Sequence, residues 1–222
     1  YDASHQPYHF PPEHAVFDTG GLNDSINYLR LTHDKSQVPF IRNRYKNSLH
    51  YVDAQLGRLL DTMEQKGLMT NTIVFIAGDH GEEFGECGMF GHDSSFNRYQ
   101  THTVAVGHIP GETSRHITNL TSHLDVVPTV LTFMGAENPL PDYTQGQPLT
   151  ATNQRPYLLL SSWGISATMD PTTTITIGLE AYNADTVITD TNNVPLPNQR
   201  EALAAHKDRF VSVLKEMRHF TK

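Results

Sequence analysis

Apolar residues recur at intervals of three and four between positions 39 and 67, which predicts one long amphipathic helix. Its predicted inward face comprises Tyr45, Leu49, Val52, Leu56, Leu59, Leu60 and Met63. Arg44 is predicted to point away from that face, and Gly67 to end the helix as a C-cap. The β-branched and aromatic run over residues 73–77 then predicts a buried strand. A helix followed by a buried strand is half of a βαβ unit, so the pattern favours the α/β class.

Two further elements are predicted before position 136. Residues 101–106 alternate Thr and Val with small or polar residues and predict a strand. Residues 124–135 predict a helix, with Ser122 as its N-cap and Gly135 as its end.

The pattern changes beyond Gly135, where Pro and Gly mark a loop. Short runs rich in Thr, Ile and Val then predict strands at residues 157–161, 172–177 and 186–189. A last amphipathic helix is predicted over residues 198–218. Strands without helices between them favour an antiparallel arrangement. We therefore predict two parts. Residues 1–138 form an α/β core, and residues 139–222 form antiparallel strands and a terminal helix that pack on that core.

Composition and charge narrow the functional classes. The chain has 222 residues, 37% of them hydrophobic, and a formal net charge of -8 with only 16 Lys and Arg, which argues against binding to nucleic acid. A single Cys excludes an internal disulfide. No apolar run approaches the roughly 20 residues of a membrane span. Because the chain starts at Tyr1 without Met, we expect it to be part of a longer protein that could carry a membrane anchor elsewhere.

The predicted strand 73–77 leads directly into Asp79, His80 and Gly81. In open α/β sheets, ligands bind just beyond the carboxyl ends of the strands. A carboxylate oxygen and an imidazole nitrogen side by side are suitable ligands for a divalent metal, and the glycine would let the backbone turn away. On these residues alone, a solvated turn at the end of a strand is the simpler alternative.

The segment after the strand is rich in acids and glycines. Glu82, Glu83 and Glu86 add three carboxylates near Asp79, and such crowding weakly favours a nearby cation that screens their repulsion. Four glycines between positions 81 and 91 make the segment pliable, so it can return His92, which follows Asp79 by 13 positions, to the strand end.

Four pieces of sequence arrive in an order that resembles the sulfatase branch of the alkaline phosphatase superfamily. They are the helix with Val52-Asp53 and Leu56-Gly57, the Asn71-Thr72 strand, Asp79-His80-Gly81-Glu82, and Gly91-His92. The resemblance spans roughly residues 1–135. It implies an alkaline phosphatase-like α/β/α sandwich, present here as the C-terminal part of the domain, and a nucleophile and first metal ligand that lie upstream of Tyr1.

The resemblance also implies roles for individual residues. Asp79 and His80 would ligate the metal, for which the mixed oxygen and nitrogen donors suit Mn or Zn, with Mg or Ca as alternatives found in relatives. His92 would face the substrate or the leaving group. His5, in His-Gln-Pro-Tyr, resembles the His-x-Pro-Tyr/Phe loop of phosphoglycerol and phosphoethanolamine transferases and would contact the anion, which makes His5 and His92 the expected catalytic residues.

Other residues of the matching segments receive no chemical role. Glu82 and Glu83 match the motif but are expected to be acids of the surface or of the surroundings of the ligands. His123 and Asp125 are expected to position the helix at 124–135. Cys87 does not lie in the Cys/Ser-x-Pro-x-Arg motif that sulfatases convert to formylglycine, so we expect it to be incidental.

Three functions remain open. The first is a metal-dependent hydrolase of sulfate or phosphate esters. The second is an envelope phosphoglycerol or phosphoethanolamine transferase, and the third is a catalytically silent domain of a YejM-type inner-membrane protein that binds or senses lipid. We therefore expect an anionic ester partner, either lipid or glycan, and a periplasmic or extracellular location in the bacterial envelope, anchored to the inner membrane.

Overall fold

The structure is a computed structural model that describes residues 2–22, 26–31, 33–152, 155–178, 186–209, 211–212 and 215. Its α-helices are α1 Tyr28–Leu31, α2 Val38–Gln65, α3 Arg98–Thr101, α4 Val126–Phe133 and α5 Gln199–Ala205. Its strands are β1 Val74–Ala77, β2 Glu83–Phe84, β3 Phe90–Gly91, β4 Ala105–His108, β5 Leu158–Ser162, β6 Ile165–Met169, β7 Thr173–Gly178 and β8 Thr186–Asp190. No helix among these residues is both long and apolar enough to cross a bilayer.

The chain divides into two compact units. The first comprises Tyr1–Val74, Glu82–Gly91 and His108–Glu112, and the second comprises Phe75–Gly81, His92–Gly107 and Thr113–Lys222. The boundary that we predict near position 138 stays a prediction.

Helix α2 is the main element of the first unit, and its existence confirms the prediction over residues 39–67. Gly67 follows it with a φ of 67°, a left-handed conformation that glycine adopts without strain. The predicted inward face is wrong in part, because Leu49 and Leu59 are 39% and 54% exposed. The buried side chains of the helix are instead Ile41, Arg44, Asn47 and Ser48.

Polar side chains are buried on α2 because they hold the loops that precede it. Arg44, predicted to point outward, donates from Nε to the carbonyl oxygen of Pro7 at 2.6 Å and from a terminal nitrogen to that of Leu22 at 3.0 Å. The Asn47 side chain accepts from the backbone N–H groups of Val16 and Phe17 and donates to the carbonyl oxygen of Phe17. Side chains of the helix therefore bind backbone N–H and carbonyl groups that the loops leave without a partner of their own.

Aromatic rings build the core of the first unit. Tyr8 is fully buried with Leu31, Ile41 and Phe84, and Tyr45 packs against the group. The ring centroids of Tyr8 and Tyr45 lie 5.4 Å apart in an edge-on arrangement, and those of Tyr45 and Phe84 lie 5.3 Å apart, distances at which aromatic pairs attract each other.

In the second unit, β1 pairs with β4 in a two-stranded sheet. The position of β1 confirms the strand predicted at 73–77, although its residues are half-buried or exposed rather than buried. The strand predicted at 101–106 begins later than expected, at Ala105. Residues before it form helix α3, because the Asn97 side chain accepts hydrogen bonds from the backbone N–H groups of Tyr99 and Gln100 and so caps a helix start.

Helix α4 forms where residues 124–135 predict a helix. Its start is a 3₁₀ turn, His123–Asp125, preceded by a capping box in which Ser122 and Asp125 exchange side-chain and backbone hydrogen bonds. Gly135 follows with a φ of 81°. The predicted N-cap and end are therefore confirmed.

Strands β5 to β8 form one antiparallel sheet in chain order. Three of them match the predicted strands, and β6 was missed, because its Ile-Ser-Ala-Thr-Met sequence is short and mixed. Its three central residues, Ser166, Ala167 and Thr168, are nevertheless buried between β5 and β7. Helix α5 packs its Ala202 and Leu203 against Ile175, Ile177 and Ile188 of the sheet. Beyond α5, residues 207–209, 211–212 and 215 of the helix predicted over 198–218 are helical, and residues 210, 213–214 and 216–218 lie outside the described residues.

Asn47 offers a test of how α2 holds the preceding loops. Asn47→Ala removes one acceptor and one donor that serve three backbone groups, so we expect the free energy of unfolding to fall by about 2 kcal/mol. The exposed Glu64→Ala on the same helix should change it by less than about 0.5 kcal/mol. Urea denaturation measures both, and equal midpoints for the two variants would contradict this role.

Asp170 offers a test at acid pH. Burial raises the pKa of its carboxyl, but hydrogen bonds from the backbone N–H groups and hydroxyls of Thr172 and Thr173 outweigh it and lower the pKa from 3.8 to about 2. A carboxyl with a lowered folded pKa stabilises the fold above its unfolded pKa, and that stabilisation is lost as the pH falls from about 4 to about 2.

We therefore expect Asp170→Asn to lower stability by about 1–2 kcal/mol at pH 7, allowing for solvent screening, and to lose most of this deficit at pH 2. Asp170 also forms an ion pair with Arg209, so the variant tests that contact too. Urea unfolding at pH 7, 4, 3 and 2 checks the trend, with the exposed Asp61→Asn as control. If the stability difference between the unsubstituted chain and Asp170→Asn does not shrink as the pH falls, the ionised carboxylate is not its cause.

Candidate metal and substrate site

The end of β1 is fixed by backbone contacts on both sides. The N–H of Gly78 donates to the carbonyl oxygen of Val104 at 3.1 Å, and the N–H of Gly81 donates to that of Gln100 at 2.8 Å. His123 lies against the same turn, with Nε2 at 2.7 Å from the carbonyl oxygen of Gly78, so this nitrogen is the N–H donor. The two residues between these glycines therefore have a well-defined backbone.

Glycine is required at position 81 by close packing rather than by an unusual dihedral angle. A Cβ atom at this position would overlap the carbonyl oxygen of Tyr99, and one at position 78 would overlap the Thr103 hydroxyl. From the sequence, Gly81 is expected to let the backbone turn away from the strand. The structure adds the reason for the residue type, which is the approach of the neighbouring segment.

Asp79 and His80 present one oxygen and one nitrogen to a common volume. His80 Nδ1 lies 2.8 Å from the carbonyl oxygen of Gly81 and is therefore its donor, which leaves Nε2 as the nitrogen with a lone pair. This Nε2 lies 3.6 Å from Asp79 Oδ2. Ligand bonds of about 2.0–2.2 Å from the two atoms can meet at one cation across that distance. The pair therefore fits a divalent metal.

The charge state of Asp79 also suits a ligand. Partial burial raises the pKa of the carboxyl, but attraction to His80 and hydrogen bonds from the backbone N–H groups of Asp79 and His80 outweigh it, so the pKa is lowered. The side chain is 89% exposed, whereas that of His80 is 33% exposed. Asp79 is thus an ionised, accessible carboxylate at neutral pH, the form that binds a cation.

His92 returns to the end of β1. Its ring stacks on that of His80 with centroids 4.0 Å apart and planes inclined by 28°, and its side chain is only 17% exposed. Gln100, almost fully buried, holds the turn that follows His92. Its side-chain Oε1 accepts from the N–H groups of Ser94 and Ser95, and its side-chain amide donates to the Ser94 hydroxyl. The structure thus brings Asp79, His80 and His92 together within the second unit.

His5 belongs to the first unit and lies on an exposed turn. Its Nδ1 lies 3.1 Å from the carbonyl oxygen of Gln6, and its own carbonyl oxygen accepts from the N–H of Tyr8. Tyr8, the aromatic residue of the same motif, is fully buried, and its hydroxyl donates to Glu82. The turn is therefore anchored through Tyr8, and the role of His5 stays a prediction.

The acidic segment has a structural role that its sequence does not reveal. Glu83 is fully buried, and its Oε1 accepts from the N–H groups of Cys87 and Met89 at 2.9 Å each. Glu86 accepts from the N–H of Phe84 and forms an ion pair with Arg42 at 2.6 Å. The surface position predicted as one alternative for Glu83 is therefore wrong, and the other alternative, a place in the surroundings of the ligands, stays a prediction. Crowding of these carboxylates is relieved by protein donors, so it gives no support for a cation.

Asp125 is buried and fully engaged in the fold. It pairs with Arg155, accepts from the N–H of Ser122 at 2.8 Å and accepts from that of Gln147 at 3.0 Å. These contacts agree with the positioning role expected for Asp125, and the contact of His123 with Gly78 gives that residue a positioning role as well. The buried positions of Gln100 and Glu83 could not be predicted from the sequence, because periodicity does not distinguish a buried polar residue from one at the surface.

Comparison with known proteins gives a family match and several relatives. The sulfatase family profile, described as Sulfatase, matches residues 1–136. Human iduronate 2-sulfatase is 34% identical over 97 residues, which are 44% of this chain and 17% of that protein. Inner membrane protein YejM of Salmonella typhimurium is 30% identical over 125 residues, which are 55% of this chain and 20% of that protein. The matches therefore span about a fifth of these relatives.

Solved structures give the fold. A 2-O GAG sulfatase, BT1596, has a TM-score of 0.69 at 18% identity, covering 96% of this chain and 52% of that chain. Phosphonate monoester hydrolase of Agrobacterium radiobacter has a TM-score of 0.67 at 18% identity, covering 84% of this chain and 43% of that chain. The predicted alkaline phosphatase-like α/β fold, present in part, is confirmed.

Gly81→Ala tests the close packing that fixes the strand end. The added methyl group would overlap the carbonyl oxygen of Tyr99, so we expect the free energy of unfolding to fall by about 1–3 kcal/mol. Gly57 is the matched control, because it lies inside α2 with open space around it, and Gly57→Ala should raise stability by about 0.5–1 kcal/mol. Urea denaturation measures both changes, and a neutral Gly81→Ala would contradict the packing argument.

Proposed function

Because the chain belongs to the sulfatase family, we propose that it forms part of a metal-dependent hydrolase of sulfate esters, with Asp79 and His80 as metal ligands and His92 facing the ester. The observation that carries this proposal is the separation of 3.6 Å between Asp79 Oδ2 and His80 Nε2, beside the stacked ring of His92. The donors are of the oxygen and nitrogen types that suit Mn or Zn.

The residues prepare this site before the cation arrives. The hydrogen bond of His80 Nδ1 with Gly81 fixes the ring and leaves Nε2 directed to the ligand position. The lowered pKa of Asp79 supplies a negative charge without a proton to displace. When bound, the metal would neutralise an ester oxygen and lower the pKa of the attacking group. No residue of this chain is proposed as the nucleophile or as a further metal ligand.

His92 would act on the proton of the leaving oxygen. Its ring is held by stacking on His80, and its Nε2 lies 4.0 Å from Asp93 Oδ2. An imidazole has a pKa suited to donating a proton near neutral pH. We propose that His92 protonates or binds the leaving oxygen and that His5 contacts the anionic group, as the sequence resemblance implies.

A sulfated glycan is the substrate class that the relatives favour. The names of iduronate 2-sulfatase and of the 2-O GAG sulfatase refer to such substrates, and the sulfatase family match makes sulfate the first choice over phosphate. The net charge of -8 would repel a polyanion at a distance, so binding would depend on the metal and on local contacts. Because one similar structure is a phosphonate monoester hydrolase, phosphate and phosphonate esters should be tested as substrates too.

The similarity to YejM favours a second candidate, a domain of an inner-membrane envelope protein. In that case the site would serve an envelope transferase with a lipid or glycan acceptor, or would bind lipid without turnover. The periplasmic location predicted from the sequence belongs to this second proposal.

Metal analysis of three variants tests the ligand assignment in the longest protein that can be purified. We expect Asp79→Ala and His80→Ala to lower the content of Mn or Zn at least tenfold, because each removes a ligand. His92→Ala should keep the metal and lower kcat/KM for p-nitrophenyl sulfate by about 10²- to 10⁴-fold. The exposed His33→Ala is the control for an unrelated imidazole.

The outcomes separate the candidate functions. Metal with turnover of p-nitrophenyl sulfate, phosphate or phosphonate supports a hydrolase and identifies its ester class. Metal without turnover supports the envelope transferase, and absence of both supports the silent lipid-binding domain. Equal metal content in wild type, Asp79→Ala and His80→Ala would overturn the ligand assignment.

A further inference from the structure

We propose that Trp163 is a stacking platform for a sugar ring of the substrate, next to the site of Asp79, His80 and His92. This inference rests on the proposed function, because it gives a binding position to the glycan part of the ester. Trp163 is the only Trp in the chain and is 87% exposed, although Trp is on average a highly buried residue type.

Trp163 lies at the tip of a short, well-defined hairpin. Strands β5 and β6 pair up to Ser162 and Ile165, so the turn contains only Trp163 and Gly164. Gly164 has a φ of 64°, which glycine adopts without strain. The hydroxyls of Ser161 and Ser166 lie 2.8 Å apart across the two strands. The hairpin therefore holds an exposed indole on a stiff support, which limits the entropy lost when a ligand binds to it.

The hairpin tip contacts the segment that carries His92. The Ser162 hydroxyl donates to the carbonyl oxygen of Asp93 at 3.4 Å, and Asp93 directly follows His92. A second contact holds the same segment, because the Ser95 hydroxyl lies 3.2 Å from the side-chain oxygen of Asn193, just beyond β8. Trp163 and His92 each lie one residue from the contact between Ser162 and Asp93. Since consecutive Cα atoms lie 3.8 Å apart, that contact places the Cα atoms of Trp163 and His92 within roughly 15 Å of each other. A short oligosaccharide spans that distance.

The surroundings of Trp163 favour a sugar over an apolar partner. Ser162 and Gly164 flank it at the hairpin tip, and Asp93, whose backbone carbonyl oxygen contacts Ser162, has a side chain that is 51% exposed. An indole face can cover the C–H groups of a pyranose ring while its N–H and a neighbouring carboxylate bind hydroxyls.

Fluorescence of the 222-residue chain tests the contact directly, because excitation at wavelengths that Tyr does not absorb makes Trp163 the source of the emission. The probes are tetrasaccharides of chondroitin sulfate, heparan sulfate and ulvan, their desulfated forms, inorganic sulfate, and vesicles of phosphatidylglycerol and phosphatidylcholine. We expect at least one sulfated tetrasaccharide to shift the emission with saturation, its desulfated form to do so at higher concentration, and inorganic sulfate to leave the emission unchanged.

Binding and turnover of variants provide the second measurement, in the longest purified protein. Trp163→Ala should raise Kd and KM for the bound tetrasaccharide about 3- to 10-fold, and Trp163→Phe should restore part of the loss. Metal content should stay unchanged, because Trp163 supplies no metal ligand. Met134→Ala, which removes another side chain that is 72% exposed in the second unit, is the matched control.

The outcomes distinguish this inference from the proposed function. Absence of an emission shift with every saccharide, or a shift with vesicles alone, overturns the sugar platform even if the enzyme hydrolyses p-nitrophenyl sulfate. Equal Kd and KM for wild type and Trp163→Ala overturn it as well. A saccharide-dependent shift in His92→Ala, or in a protein without metal or turnover, supports the platform even where the hydrolase assignment fails.

Discussion

The close approach of two backbone segments at the end of β1 is the constraint on which the candidate site depends. Gly78 and Gly81 bring the chain so near to residues 99–104 that a side chain at either position would overlap its neighbour. Their N–H groups are satisfied by carbonyl oxygens of that neighbouring segment. Asp79 and His80 therefore lie on a turn held at both ends, and the geometry of an oxygen and a nitrogen donor is set before any ligand binds. Such preorganisation is what a metal site requires of its protein.

Buried polar side chains perform the same task elsewhere in the chain. Asn47, Glu83, Gln100 and Asp125 are all nearly inaccessible, and each accepts two or more backbone N–H groups from a loop. Loops cannot satisfy these groups through regular secondary structure, and an unsatisfied buried N–H costs about 1–3 kcal/mol. The irregular segments that carry function here are thus ordered by carboxylates and amides more than by apolar contacts.

These polar contacts also define how much the sequence could predict. Periodicity located α2, α4 and β1, and turn residues located Ser122, Gly67 and Gly135, because both signals depend on neighbours along the chain. The pattern placed Leu49 and Leu59 on the buried face of α2, although both are exposed. It placed Arg44 on the exposed face and allowed a surface position for Glu83, although both are buried. These errors arise because burial depends on partners that are distant in sequence. Strand β6 was missed for the same reason: its small polar residues are buried only because two other strands flank them. For the site, the sequence supplied the residue types, while the hydrogen bond that fixes the His80 tautomer needed coordinates.

The different exposure of Asp79 and His92 fits different tasks in binding and converting a substrate. Asp79 is largely open to solvent, whereas His92 is mostly covered and is held by the His80 ring. An accessible carboxylate suits a cation that must be reached by groups from elsewhere, and a covered imidazole suits a proton transfer that must be kept from water. Neither residue offers an extended surface for the uncharged part of an ester. That contact would have to come from outside the polar centre, and the hairpin bearing Trp163 joins the His92 segment through Ser162 and Asp93. The chemistry and the recognition of the ester would then share one short segment, residues 92–95, as their common support.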